Sequence, residues 1–186
     1  MTQKKLYEIA DIIMGMRTSR YIKNEKEDTK EQKIFGRKIK TEEVAKDIDE
    51  KFYAKKGDII LSTAQPYKCQ IIENEKYTDT IIPMKYAIIR IKDPEKYDIS
   101  YLYYLLNSDS CKKQIQRVNE GTGPLKIVKM KDIRELEFNF PEIEKQIKYS
   151  EYLKLVDKKI ELQQQVIVMN KIIKKDIINR IANKEQ

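Results

Sequence analysis

The sequence contains no histidine and no tryptophan. The missing imidazole removes the commonest general base at neutral pH and the commonest metal ligand. Only two cysteines occur, Cys69 and Cys111. They stand far apart with no CxxC pair, which fits reduced thiols in a cytoplasmic protein rather than a disulfide framework or a zinc site. No segment approaches the roughly 18 apolar residues of a membrane span, and the opening MTQKKLYEIADIIMGM lacks the apolar run of a signal peptide. Neither a P-loop nor a GxGxxG is present, and GTGPLK lacks the strand–loop–helix setting of a phosphate cradle. The acidic-x-Lys fragments EEVAK and ENEK arise by chance in a chain that is 37% charged. Ser19, Ser62 and Thr63 have no base partner that spacing identifies. The expectation is a chain with no catalytic residues, no metal and no membrane contact.

What is there is length, charge and one long apolar-striped segment. The 186 residues suit one compact domain with an appendage. The formal net charge is +8, which suggests a polyanionic partner. It is spread evenly: residues 1–60 carry +3, residues 61–141 +2 and residues 142–186 +3. Any basic patch must therefore be made by folding.

Hydrophobic periodicity outlines the elements. KKLYEIADIIMG reads as a helical turn running into a strand that ends at Gly15. MRTSRYIKNEKEDTKEQ reads as an exposed loop and KIFGRKIK as a short strand. TEEVAKDIDEKF fits either a loop or a short helix. In YAKKGDIILST a Gly57-Asp58 turn leads into a buried run, Ile59, Ile60 and Leu61. QPYKCQIIENEKYTDTIIPMKYAIIRIK holds two or three more strands, with Asn74 at a turn and Ala87, Ile89 and Ile91 on one face. The period then becomes helical at Tyr101, Leu102, Leu105 and Leu106. Asp98 or Ser100 caps this helix, Asn107-Ser108-Asp109 interrupts it, and Ile115 and Val118 extend it. A loop at Gly121–Pro124 and a short strand or turn at Lys126–Met130 lead to a strand over Glu135–Phe140, where Leu136, Phe138 and Phe140 share a face. The fold class expected is α+β, a globular part with mixed β-sheet and short helices over 1–140, then a long helix over 141–186.

Pro141 suits the first turn of that helix. From Glu142 to about Ile181 the chain has neither glycine nor proline, enough for a rod of roughly 60 Å. Ile143, Ile147, Leu153, Val156, Ile160, Ile167, Ile177 and Ile181 form one apolar stripe. Leu162, Val166, Met169 and Ile173 form a second row beside it, and Gln163 and Asn170 interrupt the first. This is the seam of a helix that packs on another helix. The chain has no second helix of that length, so the partner is expected from another molecule.

Two loops carry side chains suited to DNA. In GMRTSRYIKN, Arg17, Arg20 and Lys23 surround Tyr21, with Ser19 as a hydroxyl donor. In TAQPYKCQ, Gln65 suits an adenine edge, with Tyr67 and Lys68 beside it. Thr122 and Lys126, near the glycine loop, complete the candidate set.

Four stretches, in order, resemble the specificity (S) subunits of Type I restriction-modification enzymes. KKLYEIADIIMGMRTSR resembles the opening of a target-recognition domain, KKGDIILST its Gly-Asp strand, and YDISYLYYLLNSDSCKKQIQ the following helix. The most specific is GTGPLKIVKMKDIRELEFNFPEIEKQIKYSEYLKLVDKKI, with its strand–Pro–Glu–x–x–x–Gln–helix junction. The resemblance implies a non-catalytic subunit whose recognition domain reads one half of a split site in the DNA major groove. It implies long helices that pair as an antiparallel coiled coil, space the half-sites and dock methyltransferase (M) subunits. S-adenosylmethionine and ATP would then belong to the M and restriction (R) subunits, with no cofactor on this chain. A full S subunit has two recognition domains and two long helices, and here there is one of each. Two copies pairing through Leu153, Val156, Ile160, Gln163, Ile167, Asn170 and Ile177 would make a homodimer that reads a palindromic split site; a different half-subunit would serve equally as the mate. A rival reading is a decoy that binds M subunits through the helix without reading DNA.

Overall fold

The computed structural model describes residues 2–18, 29–36, 38–45, 48–118 and 127–182. Two compact units divide between Ile147 and Lys148, so the first turn of the long helix belongs to the globular unit. That unit is mixed α+β.

Its centre is a four-stranded antiparallel sheet in the order β2 (Ala10–Met14), β7 (Tyr86–Ile91), β5 (Ile59–Ser62), β6 (Cys69–Ile71). Ile59, Ile60 and Leu61 pair with Ile89, Ile88 and Ala87. Because side chains alternate along a strand, Ile59, Leu61, Ala87 and Ile89 enter one core, while Ile60 and Ile88 enter another on the opposite face. The continuous apolar run therefore marks a sheet buried on both sides.

The larger core is closed by α1 (Leu6–Ile9), α2 (Ile99–Asn107), α3 (Asp109–Val118), α4 (Met130–Arg134) and β8 (Glu137–Phe140), through Leu6, Leu102, Cys111, Ile115, Ile133 and Phe138. Asp98 caps α2, its carboxylate accepting from the Tyr101 N–H at 2.7 Å, and Ser108 separates α2 from α3. β1 (Thr2–Lys5) pairs antiparallel with β8 in a separate ribbon. The Gln114 amide clamps β8 as well, donating to the Glu137 carbonyl and accepting from its N–H, both at 2.9 Å.

The third pair of strands departs from the sequence expectation. Thr29–Ile34 (β3) and Lys40–Ala45 (β4) form an antiparallel hairpin, where the sequence predicts a loop as far as Gln32, one strand over KIFGRKIK and a loop or short helix over TEEVAKDIDEKF. Among the described side chains of the two strands, Ile34 and Val44 are the buried hydrophobics, in a small core with Met16, Ile48 and Ile81. Ladder hydrogen bonds rather than an apolar pattern define these strands, so periodicity puts one strand where the pair turns back.

The long helix α5 runs from Ile143 to Ala182. The Lys145 and Gln146 N–H groups both donate to the Glu142 carbonyl. Glu142 is thus the cap, and Pro141 lies one residue outside the helix rather than in its first turn. Gln146 is 1% exposed. Its amide donates to the carbonyls of Pro141 (2.8 Å) and Lys96 (2.9 Å) and accepts from the Asp98 N–H (3.0 Å). The glutamine of the Pro–Glu–x–x–x–Gln junction therefore ties the helix start to the loop that caps α2.

Candidate nucleic-acid interface

Strand direction gathers the candidate loops. β2 and β5 both run antiparallel to β7. The residues following β2, the residues following β5 and the turn preceding β7 consequently share one end of the sheet. Arg17 lies in the first group, residues 63–68 in the second, and Pro83–Lys85 in the third.

Hydrogen bonds fasten these three segments together. The Met16 N–H donates to the Ile82 carbonyl at 2.7 Å, and the Met84 N–H to the Met16 carbonyl at 2.8 Å. This close approach requires Gly15: a Cβ there would sit 2.6 Å from the Ile82 carbonyl oxygen and closer still to that of Pro83. Thr63, itself buried, donates to the Lys85 carbonyl from its N–H at 3.0 Å and its hydroxyl at 2.9 Å. On the far side, Val128 N–H donates to the Thr63 carbonyl, and Ala64 bridges Ile127. Gly15 and Thr63 are framework residues; the sequence placed Gly15 at a strand end but pointed to this fastening role for neither.

Of the ten candidate DNA contacts, Arg17, Gln65 and Lys68 are exposed at this end of the sheet. Tyr67 is not. It is 4% exposed and packs in the larger core, with a left-handed backbone (φ 51°) between exposed Pro66 and Lys68. Its ring anchors the loop from within the core, so of the TAQPYKCQ candidates Gln65 and Lys68 are the ones that reach the surface. Ser19, Arg20, Tyr21, Lys23, Thr122 and Lys126 lie outside the described residues.

The Gly-Asp stretch has a structural role. Gly57, at φ 87°, takes the third position of a turn closed by the Asp58 N–H on the Lys55 carbonyl, where a positive φ favours glycine. The Asp58 carboxylate then receives the Lys55 N–H and the Arg90 guanidinium. Among the described residues, no group of three or more cysteine, aspartate or glutamate side chains is placed to hold a metal ion. No described helix is long and apolar enough to cross a membrane.

In α5, Leu153 and Val156 are half-buried, whereas Ile160, Gln163, Ile167, Asn170 and Ile177 are exposed. The apolar surface is broader than one seam. Leu155, Leu162 and Val166 border one groove, and Ile160, Val168 and Ile172 border another. Val166 and Val168 are two residues apart, so they leave the axis on nearly opposite sides, about 160° apart. Gln163 lies at the edge of the first groove. A two-stranded seam covers only one such face.

The sequence matches a family model over residues 1–169, described as the Type I restriction modification DNA specificity domain. The chain belongs to this family. The specificity-domain fold is also that of solved structures. The S subunit of a Type I restriction-modification system from M. genitalium aligns over 91% of this chain and 42% of its own, with 19% identity and a TM-score of 0.60. The HsdS subunit from Thermoanaerobacter tengcongensis aligns over 89% and 44%, with 13% identity and a TM-score of 0.65. A chain from a structure of complex assembly and conformational transition in the type I R-M system aligns over 89% and 40%, with 17% identity and a TM-score of 0.63. This specificity-domain chain thus spans less than half the length of those it matches. No curated protein matches the sequence.

Proposed function

We propose that this chain is a non-catalytic DNA sequence-specificity subunit of a Type I restriction-modification system. Its globular unit reads half of a split site, and α5 joins it to a second copy and to methyltransferase subunits. The observation that carries this reading is the family match over residues 1–169 on a globular unit continued by a 40-residue helix, α5. The two opposed apolar faces of α5 support two kinds of partner, a second copy on one face and a methyltransferase helix on the other. Burying an exposed isoleucine or leucine contributes about 1.5–3 kcal/mol, so either face supports a stable contact. S-adenosylmethionine and ATP would reside on the partner subunits.

Arg17, Gln65 and Lys68 are the described residues assigned to DNA. A guanidinium or amide that contacts a base edge contributes about 1–3 kcal/mol of discrimination.

The test is a gel shift with purified M subunit and duplexes that carry or lack the site found by methylation mapping. A site-dependent shift is expected. A decoy would capture the M subunit and block methylation with no site-dependent shift, and that result would replace this reading.

A further inference from the structure

Beside the three fastened segments lies an open groove of about 650 Å³. Its floor is built by pairing in parallel: Met16 bridges Pro83, and Ile34 bridges Ile81. The Phe35 N–H donates to the Ile81 carbonyl, and the Ile81 N–H to that of Lys33. The end of β2, the end of β3 and residues 81–84 therefore run side by side, backed by the small core of Met16, Ile34, Val44, Ile48 and Ile81.

The walls are cationic. Arg17, Lys38, Lys40 and Lys85 line the groove, and Glu42 is the one acidic residue among its described lining. All four cations are exposed. Lys85 Nζ lies 5.3 Å from the centroid of the Tyr86 ring. Among the described residues, neither Arg17, Lys38, Lys40 nor Lys85 has a carboxylate within ion-pair distance, and it is their gathering around one concavity that sets them apart. Four unneutralised cations around one concavity repel one another and attract an anion. Met84, 51% exposed at the tip of the Pro83–Tyr86 turn, adds an apolar contact among them. Charge with an apolar lip fits a sugar–phosphate chain better than a small inorganic anion.

Resting on the DNA-reading proposal above, we infer that this groove is the phosphate clamp of the interface: Arg17, Lys38, Lys40 and Lys85 hold the phosphodiester backbone of one strand. Thr63 ties the Lys85 turn to the loop of Gln65 and Lys68, so the clamp and the proposed base readers belong to one end of the sheet. Contacts of this kind fix register and orientation and carry no sequence information. The three lysines escaped sequence reasoning because Lys38, Lys40 and Lys85 belong to two distant segments that only the fold brings together.

The test uses the full chain and a fluorescent duplex of random sequence, titrated over a range of salt. In the Lys38→Gln, Lys40→Gln, Lys85→Gln variant, affinity should fall about tenfold or more, and the slope of log K against log salt should drop by about 2–3. The corresponding triple Lys→Arg variant should bind as the parent does, which separates charge from folding. If the parent binds the duplex and the glutamine variant keeps both its affinity and its salt slope, the clamp is wrong while the DNA-reading proposal stands. If the parent binds neither the random duplex nor its mapped site, both fall. Loss of binding to duplex RNA alone, with DNA binding intact, would also overturn the clamp.

Discussion

Asp58 and Arg90 form a two-pronged ion pair, Nε to Oδ1 and Nη2 to Oδ2, both at 2.8 Å. Asp58 opens the chain into β5 and Arg90 lies on neighbouring β7, so the pair crosses the centre of the sheet just behind the Gly57 turn. The Asp58 side chain is 1% exposed and that of Arg90 26%. Removing one partner of a buried pair typically costs about 3–5 kcal/mol. Because water still reaches part of Arg90, Asp58→Ala should lower stability by about 3 kcal/mol, read as a reduced urea midpoint with unchanged slope. Arg90→Met, which removes the charge and leaves the stem, should cost less than Arg90→Ala.

Gly15→Ala places a methyl group against the Ile82 and Pro83 carbonyls. Overpacking of this kind costs about 1–3 kcal/mol. It also pushes the Pro83–Lys85 turn off Met16, so DNA affinity should fall more than the loss of stability explains. Binding measured well below the variant's melting temperature checks this.

Gln146→Leu removes an amide that satisfies the Asp98 N–H and the carbonyls of Lys96 and Pro141. A buried polar group left unpaired costs about 1–3 kcal/mol. The variant should lose about 2–4 kcal/mol, and Gln146→Glu should restore little of it, because a carboxylate cannot donate to two carbonyls. Thermal denaturation of the three proteins gives the order.

Cys69 and Cys111 are both buried. Burial raises both thiol pKa values, that of Cys111 to about 12. In the unfolded chain these thiols ionise near their ordinary value, 9.0, whereas folded they stay protonated. Stability from this source is therefore full below about pH 9 and is lost as pH rises toward 12, by up to about 1.4 kcal/mol per pH unit per thiol. A Cys69→Ala, Cys111→Ala variant should show a shallower alkaline loss, and neither thiol of the native parent should react with a thiol reagent at neutral pH until denaturant is added.

The sequence was legible where burial imposes a period. Ile59–Leu61 and Ala87–Ile91 announced the central strands, and Leu102 and Leu106 the helix on them. Glu142–Ile181 announced α5 to within a residue at either end. Polar hairpin β3–β4 showed only as the short strand KIFGRKIK because cross-strand hydrogen bonding, not apolar spacing, makes it. The burial of Tyr67 was not legible because local composition does not say which way a ring in a left-handed backbone position turns. The second apolar face of α5 was in the spacing all along: Val168, Ile172 and Ile178 fall outside both apolar rows. Lys38, Lys40 and Lys85 needed three dimensions.

The most direct measurement is a footprint on DNA of the chain assembled with its M subunit. Two protected half-sites of inverted identical sequence, separated by a fixed unprotected spacer, are predicted. Charged substitutions at Ile160 and Ile167 should abolish the paired pattern. A single protected tract, or no sequence-dependent protection at all, would contradict the account.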